Sequence, residues 1–346
     1  MKNCRRLIIT LLIVSLFSCK KNTQKTIEKK SSTTEKDTIK IGFSIDTLAI
    51  ERWQRDLDIF INTAKELDAE VIVQNAGNSV EEQNRQLMYL MEREVDVIVV
   101  LPKVADSITD SIQKIRSKNI PVISYDRLTL NADISLYLTI DSEKVGEYMA
   151  YGLLPLSKGN NWFCILGPEE DFNMTLIKEG MGKVLKNTPV KLSHIFYTSD
   201  WNYDLSYQEM VRLISKEQIP DAIVCGNDAV ASSVIQALTR YYPETHIPVC
   251  GQDADISACQ SIIQGKQDFT VYKPITKLAE LAAEYAVYLA KGEDITKKDY
   301  PIKTINNGFG NIPGIWLEPT IVNKENMDDI IISSGFHTSS AVYGTK

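Results

Sequence analysis

The chain reads as an α/β protein of two doubly wound lobes with a cleft between them. Three observations predict this. Short β-branched runs alternate with longer amphipathic segments. The alternation comes in two successive series. The strand-like runs end in polar side chains, as they do where a sheet's carboxyl edge lines a crevice.

The first series opens with the strand IKIGFSI (39–45) and a helix from Glu51 to Leu67. It continues with strand EVIVQN (70–75) and helix 79–94, then strand VDVIVVLP (95–102) and helix 105–119. Strand IPVISYD (120–126), the short run LYLTID (136–141) and helix 142–154 close it. The second series pairs NWFCILG (161–167) with a segment from Asn173 to Leu185, and KLSHIFYT (191–198) with helix 205–217. DAIVCGND (221–228) leads to helix 229–242, IPVCGQD (247–253) to helix 256–265, and DFTVYK (268–273) to helix 274–292. Such alternation predicts parallel sheets covered on both faces by helices.

The 346 residues suffice for two ordinary cores, and 44% apolar with 24% charged residues are globular values. A net charge of −7 argues against a nucleic-acid partner. His194, His246 and His337 stand far apart, so no metal site is expected. Of the six cysteines, Cys164, Cys225 and Cys250 lie in apolar strand-like runs and read as small buried hydrophobes; spacing alone predicts no disulfide.

Residues 1–18 read as a signal peptide: Lys2, Arg5 and Arg6 precede an apolar run, Leu7 to Phe17, too short to span a bilayer. The ending Leu16-Phe17-Ser18-Cys19 resembles a bacterial lipobox, which makes Cys19 the expected lipidation site and mature N-terminus. Residues 19–38 are polar and lack the apolar content for a core, so they read as a flexible tether from a lipid anchor.

Site chemistry gathers at the strand ends. Arg52 and Trp53 sit where the first strand turns into its helix. A Trp there often serves the core alone, but beside a fixed cation it also suits a small, flat, hydroxyl-rich molecule. Asp126-Arg127, Asp141, Asn227-Asp228, Asp253 and Lys273 follow later strands. Helix capping explains one or two of these, Asp228 and Asp253 being candidates; together they predict a shared pocket. No GxGxxG follows a strand, and no GxxxxGK[ST] or GxSxG occurs. Cations beside the carboxylates hold them ionised, which suits hydrogen-bond acceptors and not a general acid. The set reads as built to bind, with no enzyme activity and no cofactor.

The stretches ERWQRDLDIF, ISYDR, NADIS, DSEKVGE, GNDAVASSVIQAL, GQDAD, TVYKPIT and GFH resemble the periplasmic sugar-binding proteins of the type I, ribose-binding-like class, and within it the members that bind D-xylose. The resemblance runs from about Ile39 to His337. It implies two Rossmann-like lobes joined by a three-stranded hinge: lobe 1 as 39–141 plus 274–303, lobe 2 as 142–273 plus 304–338, with a tail at 339–346. It carries a sugar-binding role to Arg52, Trp53, Asp126, Arg127, Asn227, Asp253 and Lys273. Asn173 and Trp201 follow as the second-lobe asparagine and second stacking indole. The implied ligand is a monosaccharide, D-xylose or a related pentose, with another pentose or a hexose as the alternative. The implied partner is an ABC permease, or alternatively a sensor such as a membrane histidine kinase or chemoreceptor, for a monomer held at a membrane by its lipid.

Overall fold

The computed structural model describes residues 38–344. The expected signal peptide, Cys19, the expected tether up to Asp37 and the last two residues lie outside the described residues. In chain order, the first part runs Ile39–Ile45 (β1), Glu51–Glu66 (α1), Ala69–Asn75 (β2), Val80–Glu92 (α2), Val97–Val100 (β3), Thr109–Ser117 (α3), Val122–Tyr125 (β4) and Leu136–Ile140 (β5). Then come Ser142–Leu153 (α4), Asn161–Leu166 (β6), Phe172–Leu185 (α5), Lys191–Tyr197 (β7), Tyr203–Ser215 (α6), Ala222–Cys225 (β8), Asp228–Tyr241 (α7), Val249–Gln252 (β9), Ile256–Ile263 (α8) and Phe269–Tyr272 (β10). Ile275–Ala290 (α9), Lys303–Asn306 (β11), Asn311–Leu317 (β12), Thr320–Asn323 (β13) and Ser339–Tyr343 (α10) complete it.

These strands form two sheets, ordered β11-β12-β5-β4-β3-β1-β2 and β13-β10-β9-β8-β6-β7. The paired strands run parallel except at one edge of each, where β11 and β13 are antiparallel to their neighbours. Each central strand buries both faces by the two-residue side-chain period. Val97 and Val99 join the core under α1 and α9, while Ile98 and Val100 join the core under α2 and α3. In the second sheet Cys164 and Leu166 pack under α4 and α5, and Phe163 and Ile165 under α6 and α7. Helices α4 and α5 touch backbone to backbone. A Cβ at Gly146 would stand 2.0 Å from the Ile177 carbonyl oxygen, and one at Gly180 1.9 Å from that of Glu143. Cys164, Cys225, Cys250 and Cys259 are buried free thiols.

The chain crosses between sheets after β5, after β10 and after β12, which gives the three connections of a hinge. The Asp141 amide donates to Leu317 O at 2.9 Å and ties two crossings together. Three expectations need correction. The lobe boundary at residue 303 is misplaced: β11 and β12 extend the first sheet, since Gly314–Leu317 pairs with Tyr137–Ile140, and the second lobe resumes only at β13. The tail at 339–346 carries α10, which buries Val342 and whose Ala341 carbonyl accepts from Gln260 Nε2 at 2.8 Å. Helix α3 starts at Thr109, not at residue 105, because the Ala105 carbonyl is taken by the Leu130 amide at 2.7 Å.

Candidate functional site

All nine residues singled out in the sequence line one cavity between the lobes: Arg52, Trp53, Asp126, Arg127, Asn173, Trp201, Asn227, Asp253 and Lys273. Ile50, Asp171, Met174 and Gln252 line it as well. The first lobe supplies Arg52 and Trp53 from the first turn of α1, and Asp126 and Arg127 from the end of β4. The second supplies Asn173 from the start of α5, Trp201 from the turn after β7, Asn227 from the end of β8 and Asp253 from the end of β9. Lys273 follows β10, where the chain crosses between sheets.

Charges in the cavity are buried and paired. Arg52 pairs with Asp126, and lies 3.6 Å from Asp56 and 3.7 Å from Asp253. Lys273 lies 3.2 Å from Asp253. Arg127 bridges Asp46 at 2.7 Å and Asp171 at 2.9 Å, so it joins the end of β1 to the second lobe. Asn173 Nδ2 donates to Asp126 Oδ1 across the lobes at 2.8 Å. Burial alone would raise the Asp126 carboxyl, but Arg52 and Lys273 outweigh it and hold the group below the usual carboxylate range. Asp56 goes the other way. Burial pushes it to about 7, against Arg52 and the hydroxyl that Tyr125 donates at 2.7 Å. Burial likewise disfavours the Arg52 cation, but Asp126, Asp56 and Asp253 reverse the effect and raise its pKa.

The aromatic walls are fixed differently. Trp53 is 4% exposed, with the Arg52 guanidinium 4.4 Å and the Arg127 guanidinium 5.6 Å from its ring centroid, a cation–π arrangement. Trp201 lies over Gly167, where a Cβ would come within 2.3 Å of the indole Cη2. Asp126, Asp200, Trp201 and Asp253 hold φ of 59°, 52°, 54° and 98°, a region L side chains rarely adopt, and such strain concentrates at functional sites.

Several buried polar atoms around the cavity make no hydrogen bond within the protein: Arg52 Nε, Trp53 Nε1, Asn173 Oδ1, Trp201 Nε1 and Gln252 Oε1. Buried polar groups are ordinarily satisfied. A mixed set of spare donors and acceptors on a cavity that an indole from each lobe also lines suits the chemistry of a small neutral molecule rich in hydroxyls, since each hydroxyl both donates and accepts.

Two strand-end residues do not reach this cavity. Asp141 caps α4 by accepting from the Lys144 amide at 3.1 Å. Asp228 is buried behind it, accepting from Gln267 and Thr270 side chains at 2.9 and 2.8 Å. Neither Asp228 nor Asp253 is a cap. Asn227 caps α7 through Oδ1, which accepts from Val230 N at 2.9 Å, so its amide NH2 is what remains for the cavity. The sequence reading passed over Asp46, Asp56, Asp171 and Gln252. Asp46 follows β1 and obeys the strand-end rule already applied elsewhere, and Gln252 directly precedes Asp253. Asp56 lies one turn beyond Arg52 on α1, while Asp171 shows no signal beyond its place as an N-cap.

Comparison with known proteins places this geometry. Residues 41–294 match the family model described as a periplasmic binding protein domain. The chain is 37% identical over 318 residues to the D-xylose-binding periplasmic protein of Haemophilus influenzae, covering 90% of this chain and 95% of that one. It is 38% identical over 307 residues to the D-xylose-binding periplasmic protein of Escherichia coli, covering 87% and 92%. Among solved structures, an ABC transporter solute binding protein from Clostridium phytofermentans with bound β-D-glucose superposes with a TM-score of 0.80 at 27% identity, over 88% of this chain and 99% of that one.

Proposed function

This chain belongs to the periplasmic binding protein family, and from that premise we propose that it is an extracytoplasmic lipoprotein that closes on D-xylose and presents the closed form to an ABC importer. The carrying observation is the pair of indoles, Trp53 from one lobe and Trp201 from the other, on a single cavity ringed by paired charges. A pyranose offers two C–H faces and a rim of hydroxyls. The indoles take the faces, each contact worth about 1 kcal/mol beyond burial. Asp126 and Asp253 accept from the rim, while Arg52, Arg127, Lys273 and the Asn227 amide donate to it. Charged partners strengthen such bonds about twofold. Because Asp126 and Asp253 already stand beside cations, a neutral sugar enters without uncompensating any charge.

The sugar contacts both lobes and therefore favours the closed arrangement by its differential affinity for it. Motion is taken up at the three crossings, with the lobes moving as bodies about them. The relatives' names support xylose, and the basic leader, apolar run and Cys19 support the anchor. Calorimetry tests the reading. D-xylose binds at micromolar affinity or tighter, about −8 kcal/mol or better, with little heat from D-glucose. Absence of heat with every pentose overturns it. Cys19→Ser releases the protein from the membrane fraction if the anchor is real, and leaves its partition unchanged if it is not.

A further inference from the structure

We propose that Asp200, with Lys103 and Asn78, forms an interlobe latch that holds the lobes together and steadies the turn at 199–202 without touching the ligand. The three side chains close a ring of hydrogen bonds at the rim. Lys103 Nζ donates to Asp200 Oδ1 at 2.8 Å and to Asn78 Oδ1 at 2.7 Å, and Asn78 Nδ2 donates to the same Asp200 oxygen at 2.8 Å. Asn78 precedes α2 and Lys103 follows β3, both in the first lobe; Asp200 sits between β7 and α6 in the second. None of the three lines the cavity. Two other described ion pairs that bridge the lobes, Arg52 with Asp253 and Arg127 with Asp171, belong to cavity residues.

Both halves are prepared for the contact. Lys103 is pinned from its own lobe, its amide donating to Gln83 Oε1 at 3.0 Å while Gln83 Nε2 donates to Leu101 O at 2.8 Å. The Lys103 side chain is only 15% exposed. On the other side, Asp200 and Trp201 are consecutive left-handed residues, with φ of 52° and 54°. A bulky aromatic does not hold that conformation by preference. Within its lobe the turn is held by Trp201 N donating to Thr198 O at 3.3 Å and by Asn202 N donating to Ser199 O at 2.9 Å. The latch is the tie that reaches this turn from the opposite lobe, one residue before the indole that enters the cavity. Hydrogen bonds from Lys103 and Asn78 also hold the Asp200 carboxyl below its ordinary pKa.

The latch exists only when the lobes meet, so it adds to closure whatever sugar is inside. This consequence rests on the binding reading above. Losing it weakens every bound sugar by the same factor and leaves the ranking of sugars unchanged, whereas a cavity residue alters the ranking. With the Asp200 side chain 58% exposed, the pair predicts a loss of about threefold to fivefold, expressed as faster dissociation and shrinking at high salt.

The test uses the full chain with Lys103→Met, Asp200→Asn and both together; Asn tolerates the left-handed backbone at 200. D-xylose and D-ribose are titrated and their dissociation timed, and amide exchange at 199–202 is followed. Each single variant is expected to weaken both sugars equally, the double variant to lose less than the sum of the two because the Lys103–Asp200 charge pair is removed by either, and Lys103→Met to speed exchange at 199–202 from the other lobe. Additive losses, a changed ratio between the sugars, or unchanged exchange at 199–202 in Lys103→Met overturn the latch. If the parent binds neither sugar, the functional reading fails by itself and the exchange arm decides the latch.

Discussion

Asp126→Asn removes the carboxylate on which both lobes converge. In the parent, one oxygen pairs with Arg52 and the other accepts from Asn173 Nδ2 at 2.8 Å. An amide suits the φ of 59° at this position, so the backbone is not the target. It offers one acceptor oxygen where two are used. Turned toward Arg52, its NH2 sets donor against donor; turned toward Asn173, it meets an amide whose unpartnered Oδ1 can flip to accept, so what is lost is the ionised acceptor beside Arg52 and the charge-assisted bond from Asn173. Arg52 retains Asp56 at 3.6 Å and Asp253 at 3.7 Å, neither within ordinary hydrogen-bond distance. Loss of the ionised partner of the buried Arg52, and with it the charge-assisted bond from Asn173, costs about 2–4 kcal/mol. Asn173 belongs to the second lobe, so the Asn173 share of that cost falls on the closed form, and D-xylose affinity drops by about 30- to 700-fold if the whole cost does. Calorimetric titration of the full chain reads the affinity, and a thermal melt reads how much of the cost the fold bears. An affinity within about threefold of the parent, with an unchanged melt, would refute the charge network as described.

Gly167→Ala brings a Cβ within 2.3 Å of the Trp201 ring and must displace it; D-xylose binding weakens by about fivefold at little cost to the melt, and unaltered affinity would show that the indole does not stack on the sugar. Asp253→Gly removes the Lys273 partner while easing a φ of 98°, so the fold survives and binding falls at least about tenfold; parent-like affinity would move the site elsewhere. Burial holds Asp56 at about 7 when folded, against about 4 in an unfolded chain, so across that window the folded form keeps a proton the unfolded form has lost and stability declines as pH rises. The decline amounts to at most about 4 kcal/mol; Asp56→Asn abolishes it, so its melting temperature rises relative to the parent's between the two ends of the window, and a constant difference would refute the assignment.

What was legible in the sequence is what topology dictates. A polar residue after an apolar strand lands at the sheet's carboxyl edge whatever the packing, and Arg52, Asp126, Asn227, Asp253 and Lys273 all reach the cavity for that reason. The strands β11 to β13 were not legible. Pro313 interrupts the pattern of β12, Pro319 stands between β12 and β13, and Asn306-Asn307-Gly308 marks a turn without saying which sheet the flanking strands join. Long-range pairing settles that, and no local signal carries it.

The strand-end rule also over-predicts, and the reason is hydrogen-bond supply. A helix that starts at once after the strand exposes amides that compete for the same side chain. Asp141 gives an oxygen to that demand and stays at the hinge; Asp228 spends both oxygens on Gln267, Thr270 and the Asp255 amide. Asn227 escapes because an amide side chain has two ends: Oδ1 caps α7 and the NH2 is left over. Substituting Asp at 227 would keep the cap and delete the donor. Hydrogen-bond supply thus separates Asn227, which keeps a spare donor after capping its helix, from Asp228, whose oxygens are taken by neighbouring segments, while Asp141 stays away through its place at the hinge; none of this is visible before the neighbours are known to the residue.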